Sequence, residues 1–141
     1  MLPVFYDIHP KEAEHSIGSF LSKKGLVCGV YMSYFLMRAL CQLGRYDDAY
    51  HLIVSKDENS WYNMVREGGT TCFEAWGKDK KWNTSLCHPW ASSPIIILIE
   101  EFMNVSLDGT VGEHRFPKDA GMIEMTIPTP KGIITVTANN K

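Results

Sequence analysis

The chain has 141 residues, of which 45% are hydrophobic and 21% charged, a composition that suits one packed domain and excludes a disordered or collagen-like polypeptide. A formal net charge of −2 and a pI near 6.2 argue against a phosphate-binding surface, so nucleic acid is not an expected partner. Four cysteines are too few for a disulfide scaffold, and the longest apolar run, Ile95 to Ile99, is too short to span a bilayer.

Met1-Leu2-Pro3 opens no basic n-region or long apolar h-region. No membrane partner is expected, and the cytoplasm is the default compartment. Pro10 before Lys11-Glu12-Ala13-Glu14 predicts a helix start, with Ala13, Ile17, Phe20 and Leu21 on its apolar face and Gly25 as its stop. Val30 to Leu43 leaves little polar face and predicts a helix buried nearly all round, ended by Gly44. Asp47 and Asp48 suit the first turn of a third helix carrying Ala49, Leu52 and Ile53. Asp57 is the expected N-cap of a fourth, which bears Trp61, Met64 and Val65 and stops at Gly68-Gly69. A fifth runs from about Trp90 to Met103 with Pro94 near its start. Short connections between these helices imply antiparallel neighbours, hence stacked helical hairpins.

The character changes at about Asn104. Three short stretches, Glu113 to Phe116, Gly121 to Ile127 and Gly132 to Thr137, are bounded by Gly, Pro and Asp. Met122, Glu124 and Thr126 alternate with Ile123, Met125 and Ile127, the period of a half-buried strand. Thr129-Pro130-Lys131-Gly132 is a turn, and Ile133 to Thr137 is the returning strand. The chain is therefore mainly α with a small β C-terminus, divided into residues 1–103 and 104–141. So few strands make no stable sheet alone, so the second part must lean on the helices or continue elsewhere.

The chemistry concentrates between Gly68 and Trp90, which hold most of the Trp residues, Cys72, Cys87, Glu74 and His88. A carboxylate between Phe73 and Trp76 is expected to be partly desolvated and its pKa raised toward a useful acid–base range. Glu74 is accordingly the candidate catalytic group; the plainer reading is a cap or a partner for a nearby lysine. Trp76, Trp82 and Trp90 offer faces on which a sugar ring can stack, or else are ordinary packing. His88 can donate to a sugar hydroxyl or satisfy a backbone carbonyl. Trp61 is expected in the core with its indole N–H partnered. Cys72, Cys87 and His88 match no zinc-ligand spacing, and Cys87 beside His88 lacks a thiol-protease signature. No metal or cofactor is expected.

Leu26-Val27-Cys28-Gly29, Ala39-Leu40 through Gly44 to Asp48-Ala49-Tyr50, Ser60-Trp61-Tyr62-Asn63-Met64, Gly69-Thr70-Thr71-Cys72-Phe73-Glu74-Ala75-Trp76 and Ser85-Leu86-Cys87-His88 together resemble the C-terminal part of bacterial α-L-rhamnosidases. The likeness covers about residues 8–137 and takes in Ile127-Pro128-Thr129-Pro130-Lys131-Gly132, similar to a hairpin of that family's C-terminal β-domain. The resemblance implies the last helical hairpins of an (α/α)6 six-hairpin toroid followed by a partial β-sandwich module. It also implies hydrolysis of terminal α-L-rhamnosides with inversion. Glu74 is then similar to the general base, His88 to a sugar-contacting residue, and Trp76 belongs to the same motif.

Phe73 stands where the family commonly has Trp, and the insert between Glu74 and His88 is short. In the family the general acid and the acidic cluster that grips rhamnose lie on earlier barrel helices. The expectation is a bacterial partial homologue, a fragment or truncated relic, with the acid outside this chain and little activity alone. The expected partners are an L-rhamnose-containing glycan and, through exposed helix faces, the remaining barrel segment or a second copy. The competing expectation is a catalytically incomplete carbohydrate-binding or structural remnant packed on a partner chain.

Overall fold

The helix over Val30–Gln42 (α3) is the one the others surround. A computed structural model describes residues 1–115 and 117–139. Leu36, Met37, Ala39, Leu40 and Cys41 of α3 are buried and form the centre of the helical core. Packed against α3 are a short N-terminal helix, Leu2–Phe5 (α1), the helix Glu14–Lys24 (α2), the helix Tyr46–Ile53 (α4) and the last helical segment. Lys11–Ala13 forms a 3-10 turn that leads into α2, and Gly25, at φ 60°, ends it. Arg45 ties the α3–α4 corner to α2, pairing with Asp48 at 2.5 Å and donating to Ser19 and Ser22.

Two expectations about these helices are corrected. Phe20 is exposed and lies under the Lys24 ammonium instead of joining the core. The helix α3 is not buried all round: Tyr31 is exposed and Met32, Tyr34 and Phe35 are half-buried, Tyr34 and Phe35 meeting Phe5 of α1 on one side and an open crevice towards Trp90 on the other.

The fourth predicted helix is Trp61–Arg66 (α5), and its cap is Ser60 rather than Asp57. The Ser60 hydroxyl accepts from the Asn63 N–H at 3.0 Å and donates to the Asp57 carbonyl at 2.6 Å, so Asp57 serves as an acceptor one turn upstream. Trp61 sits in the expected position, its indole N–H donating to the Ala91 carbonyl at 2.7 Å.

The fifth predicted helix is wound in three ways. Pro89–Ser92 is a 3-10 turn, Ser93–Ile96 (α6) is α-helical, and Ile97–Phe102 continues it as a π-helix. The wider winding is held at its end by the Met103 N–H on the Leu98 carbonyl at 2.9 Å. Glu100 and Glu101 of this segment both pair with Arg38 of α3, at 2.7 and 2.9 Å.

The strands Met122–Thr129 (β1) and Gly132–Asn139 (β2) form an antiparallel hairpin, each longer than expected at its far end. Ile123, Met125 and Ile127 stand opposite Ala138, Val136 and Ile134, so the predicted apolar alternation becomes one continuous face. That face packs on Met103 and Val105, and Ile99 of the last helix leans on the same cluster. No third strand forms over residues 113–115, and Phe116 lies outside the described residues. The backbone there is diverted to the helix end: Asn104 donates to the Glu113 carbonyl at 3.0 Å, the His114 ring bonds the Met103 carbonyl at 2.8 Å, and the Arg115 N–H reaches the Phe102 carbonyl at 2.9 Å. The last two bonds satisfy carbonyls that a helix C-terminus leaves open.

Among the described residues, no helix is long and apolar enough to cross a membrane. Ser60→Ala removes a fully buried cap that holds both ends of its turn. It is expected to destabilise the chain by about 1–2 kcal/mol in chemical denaturation, whereas Asp57→Ala, whose contribution to that cap is a backbone carbonyl, should leave the same bond in place.

Candidate functional site

The loop that follows α5 is closed by packing before it is closed by hydrogen bonds. Gly69 lies so near Met64 and Phe73 that a Cβ there would come within 2.8 Å of the Met64 carbonyl and of two Phe73 ring carbons. Only glycine permits that approach, and Phe73 uses it to bury its ring. Two backbone bonds then fold the loop onto itself: the His88 N–H donates to the Cys72 carbonyl at 2.8 Å and the Glu74 N–H to the Ser85 carbonyl at 2.9 Å. The Thr71 hydroxyl adds a third tie, to the Leu86 carbonyl. Glu74 and His88, fourteen residues apart in sequence, thus lie on adjoining arms.

The base of the loop is held by two residues that sequence reasoning passed over. Buried Asn63 donates from its side chain to the Trp76 carbonyl at 2.8 Å and to Glu67 at 2.9 Å. The other Glu67 oxygen takes the Lys78 N–H at 2.7 Å. These contacts hold the Glu67 carboxyl below its ordinary pKa, the Lys78 backbone bond contributing most. The signal was an amide one turn inside a Ser-capped helix whose other inward residues are apolar.

Trp76 is buried and meets Trp61 edge to face, with ring centroids 5.0 Å apart. Its indole N–H donates to the Cys28 carbonyl at 2.6 Å. The expectation of an open stacking face at Trp76 is therefore corrected: the ring is an anchor between the loop and the start of α3. Trp82 is 96% exposed and, among the described residues, touches no other aromatic ring.

With Phe73 and Trp76 turned inward, Glu74 turns outward. Its side chain is 28% exposed, Oε1 is paired with the Lys81 ammonium, and Oε2 accepts the Ser85 N–H at 3.1 Å. The expected upward pKa shift is reversed. The Lys81 hydrogen bond first, the Ser85 N–H second and, more weakly, the charges of Lys81 and His88 lower the carboxyl pKa, against a smaller opposing effect of burial. Glu74 is an ionised proton acceptor, the state a base requires and a general acid does not.

His88 is half-buried, and its ring lies 4.5 Å from that of Trp90 at a tilt of 47°. Trp90 is 57% exposed and meets Tyr31 of α3 edge to face at 5.3 Å. Of the predicted sugar contacts, the structure brings His88 and Trp90 together beside the Glu74 arm and withdraws Trp76. All four cysteines are free; Cys41 is buried, which pushes its thiol pKa far up, and Cys72 accepts from the Ser92 hydroxyl at 3.6 Å. Among the described residues, no three His, Cys, Asp or Glu side chains converge to hold a metal ion.

A family model for the bacterial α-L-rhamnosidase six-hairpin glycosidase domain matches residues 2–101. The chain belongs to this family. The match includes α1, which periodicity did not reveal, and the whole Gly68-to-Trp90 loop, and it ends one residue short of the end of the last helical segment. The β-hairpin lies beyond it. No curated protein and no solved structure matches the chain.

A carboxyl whose pKa is lowered by folding stabilises the native state above the ordinary carboxylate range, and that contribution is lost as pH falls through the folded-state pKa. Glu74 is such a group. Carbon-detected NMR titration of its carboxyl should give a midpoint below that of a free glutamate side chain, and Lys81→Met should move the midpoint upward. Trp76→Phe keeps a ring but abandons the Cys28 carbonyl, and should cost about 1–3 kcal/mol of stability in chemical denaturation.

Proposed function

We propose that this chain forms one wall of a site for hydrolysis of terminal α-L-rhamnosides with inversion. In this reading Glu74 is the base that activates the attacking water, and His88 and Trp90 contact the sugar. The observation that carries it is the ionised Glu74 carboxylate on a loop whose backbone ties set it beside His88, within a segment matched by the six-hairpin glycosidase family.

Inversion requires a second carboxyl group, protonated at working pH, about 6.5–9.5 Å from the base. Every carboxyl in the described residues whose pKa departs clearly from the ordinary value departs downward: Asp7, Glu14, Glu67, Glu74 and Asp108, the last to about 2. None of these has the raised pKa of a general acid, which supports an acid supplied from outside the chain. In the same reading residues 1–103 are the C-terminal portion of the barrel and residues 104–141 the start of a β-domain. The family match ending at residue 101 and the separate apolar cluster of the hairpin support that division.

The Lys81 pairing favours a second reading. A carboxylate held by an ammonium and a backbone N–H is also what a binding site without turnover would contain. For partners, an L-rhamnose-containing glycan suits the loop, and the exposed Leu2, Tyr6 and Ile8 suit a further barrel segment or a second copy of the chain.

Turnover of an aryl α-L-rhamnoside by the 141-residue chain separates these cases. Absence of the acid costs roughly 10²- to 10⁴-fold in rate, so little or no release of the phenol is expected, while L-rhamnose should still shift the Ser85 amide and the Trp90 indole resonance. Measurable turnover that Glu74→Gln abolishes would put the acid inside this chain. Absence of any shift with L-rhamnose would remove the sugar reading altogether. Light scattering on the same sample should show association that Tyr6→Ser with Ile8→Ser reduces.

A further inference from the structure

The two oxygens of Glu74 are held in different ways. Oε2 accepts the Ser85 N–H at 3.1 Å, while the Glu74 N–H donates to the Ser85 carbonyl at 2.9 Å. Glu74 and Ser85 thus exchange two bonds, and Oε2 is tied to the backbone of the loop itself. Among the described residues, Oε1 has the Lys81 ammonium alone. That partner stands on a flexible four-carbon stem, its side chain is 38% exposed, and ion pairs at such exposure contribute little. One oxygen is anchored by backbone. The other is covered by a side chain that solvent can take back.

The turn that carries Lys81 has supports of its own. The Lys81 carbonyl accepts the Thr84 hydroxyl at 2.9 Å and the Thr84 N–H at 3.3 Å. The Lys80 N–H donates to the Gly77 carbonyl at 3.2 Å, and the Lys78 N–H is fixed on Glu67 at 2.7 Å. The Lys80 ammonium is engaged with Glu58 at 3.5 Å and does not compete for Glu74. Lys81 can therefore swing off Oε1 while the backbone of the turn stays closed.

A base must present a free lone pair to the water it activates, and the oxygen that can be freed is Oε1. We propose that Lys81 gates the site: its ammonium occupies Oε1 of Glu74 in the ligand-free chain and moves into solvent when a terminal L-rhamnoside enters, which leaves the carboxylate oriented by Ser85. The gate rests on the reading of Glu74 as the base, and Lys81 is in it a positioning residue that acts through Glu74. The Lys81 hydrogen bond is the largest of the effects that hold the Glu74 pKa down, so its removal strengthens the base while the sugar is bound. His88, the other charged group that acts on this carboxyl, lies on a backbone-tied arm and is not removed by the exchange.

L-rhamnose titrated into the isotope-labelled full chain tests the gate. Saturation should move the Lys81 Cε resonance, leave that of Lys80 in place and raise the carboxyl midpoint of Glu74. Lys81→Met should bind the sugar about two- to fivefold more tightly, the share of one exposed ion pair that no longer has to break. Its Glu74 midpoint, already raised, should rise less with sugar. Lys80→Met removes the same charge from the same turn and should bind as the parent does. A sugar response at Trp90 with Lys81 Cε and the Glu74 midpoint unmoved would overturn the gate and leave the sugar reading standing. Lys81→Met binding no more tightly than Lys80→Met would do the same. Binding by Lys81→Met alone would support a gate that is shut in the parent, and binding by none of the three chains would overturn both readings. Displacement of the Ser85 amide resonance in sugar-free Lys81→Met would show that the loop needs the pair for its shape, and the gate would fall.

Discussion

The position of Trp76 sets the rest of the site. Its ring is buried, its indole N–H is spent on the Cys28 carbonyl ahead of α3, and its own carbonyl takes the Asn63 amide of α5. One residue therefore joins the loop to two helices through both backbone and side chain. Together with Phe73, buried against Gly69, it fixes which way the chain between them must face. With both aromatics directed to the core, Glu74 has only the solvent side left. The exposure of that carboxylate is thus a consequence of how its neighbours pack, not a property of the residue.

That orientation decides the electrostatics. A carboxylate sealed among aromatics would be raised in pKa and act as an acid; one that meets an ammonium and a backbone N–H at an open surface is lowered and remains charged. Glu74 is in the second situation because the insert after Trp76 returns Lys81 and Ser85 to it. The pairing has a chemical consequence. A carboxylate whose pKa is lowered is more fully ionised but accepts a proton with less driving force. If Glu74 is the base proposed above, a ligand that displaced Lys81 from Oε1 would raise its basicity on binding.

What could be read from the sequence follows the physics of range. Helices α2 to α5 and the hairpin were legible because each is specified locally: Gly25 and Gly44 at positive φ, aspartates in the first turn of α4, and strict alternation along β1. The hairpin turn also followed, with Thr129 pairing with Gly132 where the sequence placed it. The errors fall where a partner distant in sequence decides. Phe20 and the Tyr31–Phe35 face fit an apolar helical stripe, yet what lies opposite them cannot be read from periodicity. Glu100 and Glu101 of the π-helical stretch pair with Arg38, some sixty residues earlier, and residues 113–115 pair with a helix end instead of a strand. Within the site, the loop and its carboxylate were visible in composition, whereas the sign of the Glu74 shift depended on the burial of Phe73 and Trp76.

Trp90 is where the two faces of the molecule meet. Its ring lies on His88 toward the loop and against Tyr31 toward the crevice along α3, with more than half its surface free. A ring that is packed on both sides cannot tilt toward one neighbour without leaving the other. Its backbone is constrained as well: Pro89 precedes it, and the Ala91 carbonyl that follows accepts the Trp61 indole. The position of Trp90 is thereby referred to α5, the helix that also anchors Trp76 through Asn63. A shift of α5 would therefore move the Glu74 loop and Trp90 together.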